Sequence, residues 1–153
     1  MAEVRIGGAA RECLVIEVFE RERPQSTDYY DGNWLHASVQ VHVGGFDGRV
    51  SGSLRAEEFV GFRDEVTALH QSLDGDATFR TMEDWLTVRM KGDGRGQIEV
   101  KGQLHEDPGS VNRLMFRLEL DQTFLASILA GLDEVVTRFP VRGHPGAPRA
   151  EDA

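Results

Sequence analysis

A single cysteine, Cys13, stands in a chain of 153 residues, which excludes an internal disulfide and any multi-cysteine metal framework. No apolar run approaches the ~20 residues of a membrane-spanning helix, and the longest is interrupted by Glu17. The stretch Met1–Glu12 carries Glu3, Arg5, Arg11 and Glu12 and lacks a signal-peptide core, so a reducing cytoplasm is the expected location. Positive charge is scarce as well: 17 Lys plus Arg against 26 Asp plus Glu leave a net charge of −9. Residues 1–75 hold 7 basic and 13 acidic side chains and residues 76–139 hold 8 and 11, while the segment from Pro140 onward is balanced. Such a surface repels phosphate backbones and anionic membranes, which argues against direct nucleic-acid or membrane binding, and it attracts a basic protein.

What is present is one domain's worth of patterned apolar residues, 40% of the chain. Leu35, Ala37, Val39, Val41 and Val43 alternate with His36, Ser38, Gln40 and His42 up to Gly44-Gly45, a two-residue hairpin signal. Folding there sets Val43 opposite Phe46, Val39 opposite Val50 and Leu35 opposite Leu54 on one face, with His42 opposite Asp47 and Gln40 opposite Arg49 on the other. A slip of one residue would destroy both agreements, so the register is well specified.

Helical spacing follows at Phe59, Phe62, Val66, Leu69 and Leu73, with Glu57 and Glu58 in the first turn and Gly75 placed to stop the helix. The same grammar recurs at Leu114, Phe116, Leu118 and Leu120, then Asp121 as an N-cap, then Leu125, Ile128, Leu132, Val135 and Phe139, closed by Pro140. Leu54, Phe59, Phe62, Val66, Leu69 and Leu73 map onto Leu120, Leu125, Ile128, Leu132, Val135 and Phe139 at a constant offset of 66. Either a duplicated strand-to-helix unit or the shared periodicity of two amphipathic blocks produces such a match.

Further strands are expected at Cys13–Arg21, Ala77–Arg80, Trp85–Lys91 and Gln97–His105. The fold class is α+β: a curved, mainly antiparallel sheet of about seven strands with two amphipathic helices packed on one face. Residues 1–139 form the single domain, and 140–153, with Pro140, Gly143, Pro145, Gly146 and Pro148, read as a flexible tail.

The side chains that carry chemistry do not gather. His36 and His42 share a face, but six strand residues separate them by ~20 Å, and His70, His105 and His144 add no metal-ligand spacing. Cys13 begins an apolar strand without an adjacent histidine, and no serine sits in a Gly-x-Ser-x-Gly turn. Gly92–Gly96 lacks the lysine-plus-hydroxyl ending of a phosphate loop and the carboxylates of a calcium loop, and reads as a hairpin turn. Glu57-Glu58, Glu83-Asp84, Glu106-Asp107 and Asp133-Glu134 are adjacent pairs that point apart rather than converging on one bond. No catalytic residue, metal ligand or cofactor is assigned, and enzymatic activity is disfavoured.

One constellation points to binding. Asp28, Tyr29, Tyr30, Asp31 and Trp34 gather both tyrosines and one tryptophan with two acids, and Glu83, Asp84 and Trp85 repeat the setting. Strand parity puts Trp34 with His36 and Gln40 on the polar sheet face, and Trp85 with Thr87, Arg89 and Lys91. Tryptophan on an open face beside carboxylates has the composition of an interface anchor; a loop folding over both rings is the competing arrangement. These ten residues (28–31, 34, 36, 40 and 83–85) are the candidate partner-binding set.

The series Asp-Tyr-x-Asp-x-Asn-Trp-Leu at 28–35, Gly-Gly-Phe at 44–46, Gly-Asp-Gly-x-Gly-x-Ile at 92–98 and Asp-Gln-Thr-Phe-Leu at 121–125, with Phe139-Pro140, resembles the WapI-like family of bacterial immunity proteins. The resemblance runs from about Arg11 to Val141. It implies a cytoplasmic antidote that binds and occludes the toxic C-terminal domain of a large secreted, contact-delivered protein, in a setting of bacterial competition. The family's founding toxins resemble tRNA-attacking nucleases, whose basic grooves an acidic protein can fill. No catalytic residue carries over, because such proteins act by occlusion. The alternative is a small-ligand or peptide-binding regulatory module using the same open face, for which a deep pocket lined by Trp34 and Trp85 would be the sign.

Overall fold

The computed structural model describes residues 1–8 and 12–146. Strands β1 (Ala2–Gly7), β2 (Glu12–Arg21), β3 (Trp34–Val43) and β4 (Phe46–Arg55) form an antiparallel meander in that order, with a one-turn helix α1 (Tyr29–Gly32) in the β2–β3 connection. Helix α2 (Ala56–Ser72) leads to a second meander of β5 (Asp74–Arg80), β6 (Leu86–Asp93), β7 (Gln97–His105) and β8 (Arg113–Asp121), and helix α3 (Leu125–Arg138) closes it. The α+β class and the antiparallel pairing agree with expectation. The single sheet of about seven strands does not: eight strands lie in two four-stranded sheets.

Two causes account for the difference. The eighth strand is β1, where Ala2, Val4 and Ile6 alternate with Glu3 and Arg5 over too short a run to stand out. The division into two sheets follows from α2, which carries the chain away from β4 so that β5 pairs only with β6.

The hairpin register is the one that alternation demands, from Val43↔Phe46 through Val39↔Val50 to Leu35↔Leu54, with His42↔Asp47 and Gln40↔Arg49 on the outer face. The match at offset 66 also has a structural counterpart, because each half is a four-stranded meander followed by a helix. Phe59, Phe62, Val66 and Leu69 of α2 are buried, as are Leu125, Ile128, Leu132 and Val135 of α3. Leu73 and Phe139 occupy the same place, the residue that caps each helix. Leu73 thus ends α2 in the left-handed region at φ 60°, two residues before the glycine expected to do so, and its N–H bonds to the Leu69 carbonyl at 2.7 Å.

The core lies between the two sheets and against the helices. α2 packs on β5, α3 on β1, and the helices on each other. Gly131 brings α3 so near β1 that a Cβ there would lie 2.7 Å from the Glu3 carbonyl oxygen. β4 runs across the ends of the second sheet's strands: Gly52 meets Trp85 ahead of β6, and Gly48 meets Leu104 of β7 and Leu114 of β8. Among the described residues no helix is long and apolar enough to cross a membrane.

Candidate functional site

The Asp28–Trp34 segment is an ordered piece built by polar contacts. Asp28 caps α1, its carboxylate accepting from the Asp31 N–H at 2.8 Å and the Ser26 hydroxyl at 3.2 Å. Asn33 is fully buried: its Nδ2 donates to the carbonyls of Tyr29 and Arg142, both at 2.9 Å, and its Oδ1 accepts from the Arg142 N–H at 2.8 Å. Arg142 in turn donates to the Pro24 and Ser26 carbonyls, each at 2.7 Å. A β-bulge between Val18 and Glu20 reverses the parity of β2 and turns Arg21 inward, where it donates to the Gly32 carbonyl at 2.6 Å and to the Pro140 carbonyl. The Gly146 N–H reaches the Tyr30 hydroxyl at 3.0 Å. Composition suggests a loose tail from Pro140, but Pro140–Gly146 is tied across this segment; the rest of the expected tail, 147–153, lies outside the described residues.

Arg55, at the β4–α2 junction, holds the segment from inside. The residue is 2% exposed, and its guanidinium donates to the Tyr29 and Tyr30 carbonyls at 2.6 and 2.9 Å while pairing with Glu57. It also lies over two rings, 4.8 Å from the centroid of Trp34 and 5.3 Å from that of Tyr29. Trp34 is therefore half-buried against a cation rather than open on the sheet face. Burial, and after it the Glu57 charge, push the Tyr29 hydroxyl above its ordinary pKa. Nothing in the spacing singled out Arg55; an arginine between an apolar strand and a helix opening with two glutamates was the available signal.

Trp85 departs further from expectation. It is 1% exposed, its Nε1 donates to the Ser53 carbonyl at 2.9 Å, and its ring lies where a Cβ on Gly52 would be, within 2.9 Å. Parity fails because Trp85 precedes β6 and follows Asp84, whose φ of 58° turns the chain. β4 then covers the ring. Among the described residues, Trp85 is sealed in the core and lines no pocket with Trp34, which would be the sign of a small-ligand module.

The two acidic segments nevertheless meet, through Glu58. Its carboxylate accepts from the Arg55 N–H at 2.7 Å and from the Met82 N–H at 2.6 Å, linking the α2 start to the β5–β6 turn. Burial raises its pKa to about 7, against the opposing effect of those two hydrogen bonds. Met82 is 67% exposed, with Glu83 and Asp84 exposed beside it. His36 stands in the cross-strand row Glu20–His36–Ser53, tilted against the Phe19 ring at 5.7 Å, and the Ser53 hydroxyl donates to Glu22.

Glu20, Glu22, Asp31, Glu57, Glu58, Glu83 and Asp84 thus surround one end of the molecule, with the exposed Met82 among them. Of the nearby cations, Arg21 and Arg55 are buried, Arg23 is paired with Asp31 at 3.2 Å, and Arg80 is exposed beside the cleft lined by Glu57 and Glu58. Gln40 is not part of this group: it pairs with Val15 and Arg49, ~13 Å along β3 from His36. By contrast, the outer face of the second sheet sets Arg89, Lys101 and Arg117 in one transverse row, paired with Asp76, Glu99 and Glu119. Among the described residues no three His, Cys, Asp or Glu side chains group as a metal site.

The model of a protein family described as the immunity protein WapI-like family matches residues 5–140. The chain belongs to the WapI-like immunity family. The matched span of the WapI-like chain includes both long helices, every candidate partner-binding residue and both meanders apart from the first three residues of β1. Among solved structures, that of the plant transcriptional regulator PBF-2 matches over 90% of this WapI-like chain and 79% of that one, at 12% identity and a TM-score of 0.45. No curated protein matches it.

Proposed function

We propose that the chain binds and occludes the toxic C-terminal domain of a cognate bacterial protein, and that this domain is basic, as a nuclease must be to hold RNA or DNA. The observation that carries the proposal is the acidic end itself. Seven carboxyl groups from four separate stretches of chain face solvent or line its margin around exposed Met82, Glu58 only partly ionised at neutral pH, against two exposed cations, Arg80 and the Arg23 that pairs with Asp31. Opposite potentials speed encounter, and desolvated apolar and aromatic contacts slow release. The Asp28–Asp31 turn, His36 and the Glu83-Asp84 turn form the contact surface, and Arg55 and Asn33 keep it preformed, which limits the ordering cost of binding. Trp34 supports that surface from its half-buried place under Arg55.

The direct test is titration of the cognate toxin domain with this chain. Toxicity and its underlying activity should vanish at one-to-one stoichiometry. Activity persisting at saturating excess of this chain would refute occlusion.

A further inference from the structure

β4 ends its sheet, so one side of its backbone is not used by β3. The Ser53 carbonyl lies on that open side, since it accepts from the Trp85 indole at 2.9 Å. Strand backbone groups alternate sides, which puts the N–H and C=O of Ser51, Arg49 and Asp47 on the same open edge. Among the described residues these groups have no partner. The edge carries no proline or lysine guard of the kind that keeps bare strands apart. It opens on a shallow slot of about 370 Å³ floored by Leu104 and Leu114, and Phe46 at the head of β4 is 68% exposed.

We propose that a second copy of this chain occupies this edge, β4 pairing antiparallel with β4 about a two-fold axis at Gly48. Charge favours one register over its neighbours, since centring on Val50 would set Arg49 against Ser51 and Asp47 against Ser53 with no ion pair. Centring the pair on Asp47 or on Arg49 sets two like charges face to face, which is unfavourable directly across a ladder. Centring it on Gly48 sets Asp47 of each copy opposite Arg49 of the other, twice. In that same register Phe46 faces Val50 of the second copy on the inner side, covering the exposed ring. Gly48 faces Gly48 at the axis, where the absence of a side chain lets the strands approach. The contact is isologous and closed, so it yields a dimer with one continuous eight-stranded sheet rather than a filament.

Sedimentation equilibrium on the full chain at micromolar concentrations tests this, with circular dichroism confirming the fold of each variant. The wild type should have twice the chain mass of 17.0 kDa. Asp47→Arg and Arg49→Asp should each weaken the dimer about tenfold or more, and combining them should restore it, because the swapped pairs again oppose each other. Arg49→Pro removes the outward N–H that faces Asp47 of the second copy, without touching the β3 ladder, and should leave a folded monomer. A wild type monomeric throughout overturns the proposal, as does a folded double variant that fails to regain the dimer. Should the edge instead take a strand of the toxin, the wild type stays monomeric and Arg49→Pro weakens only the toxin complex, which also refutes self-pairing.

Discussion

The Arg55 guanidinium lies 4.8 Å over the Trp34 ring while donating to the Tyr29 and Tyr30 carbonyls behind it. A side chain at the strand-to-helix junction thereby holds both the backbone and an aromatic ring of the β2–β3 connection. Burial of that cation is tolerable because Glu57 pairs with it and the two carbonyls complete its hydrogen bonds.

Arg55→Lys keeps the charge but loses the planar fork, so one ammonium cannot reproduce the bonds to both carbonyls and to Glu57 together. Stability should fall by about 2–3 kcal/mol in urea unfolding, with a red-shift in the emission of Trp34. An unchanged midpoint and spectrum would mean the brace contributes nothing.

Glu58 makes stability depend on pH. Its pKa is about 7 in the folded protein against an ordinary 4.5, so between those values the folded state holds a proton that the unfolded chain releases. The contribution is therefore full below pH 4.5 and is lost as pH rises through 7, with a ceiling of about 3 kcal/mol that residual solvent access lowers. Glu58→Gln still offers an oxygen to the Arg55 and Met82 N–H groups and cannot ionise. Its Tm should exceed the wild type's above neutral pH, and the slope between pH 4.5 and 7 should flatten. Parallel Tm curves for the two proteins would rule this out.

The acidic end should control association with the toxin. Glu83→Lys and Asp84→Asn, the latter chosen because asparagine accepts the φ of 58° at that position, should slow binding and reduce its salt dependence while leaving Tm nearly unchanged. Stopped-flow association rates at several salt concentrations give the answer. Rates identical to wild type would move the interface elsewhere.

Asn33 locks the Pro140–Gly146 segment to the α1 turn. Asn33→Ala strands both backbone groups of Arg142 and takes one of two donors from the Tyr29 carbonyl, and should cost about 1–3 kcal/mol. Limited proteolysis should then cut within 140–146 well before the β-sheets are attacked. Protection equal to wild type would show that other contacts hold the segment.

Gly131→Ala should force α3 away from β1, because the new methyl meets the Glu3 carbonyl rather than a movable side chain. A loss of about 1–3 kcal/mol is expected in thermal or urea unfolding. A neutral result would mean the helix shifts freely on the sheet.

The sequence by itself determined whatever depends on neighbours along the chain. The Gly44-Gly45 hairpin and its register, the helical stripes ending at Leu73 and Phe139, and the recurrence of strand and helix 66 residues apart all follow from apolar periodicity, which is local. The excess of negative charge was equally legible. Tertiary structure alone decided how these pieces meet. Trp85 went into the core because β4 crosses above it and leaves Gly52 as the space for its ring, and Arg55 became an internal brace because α1 folds back onto the β4–α2 junction. The fate of an indole or a guanidinium depends on which remote backbone covers it, and that covering is made by segments tens of residues away, beyond the reach of any local period.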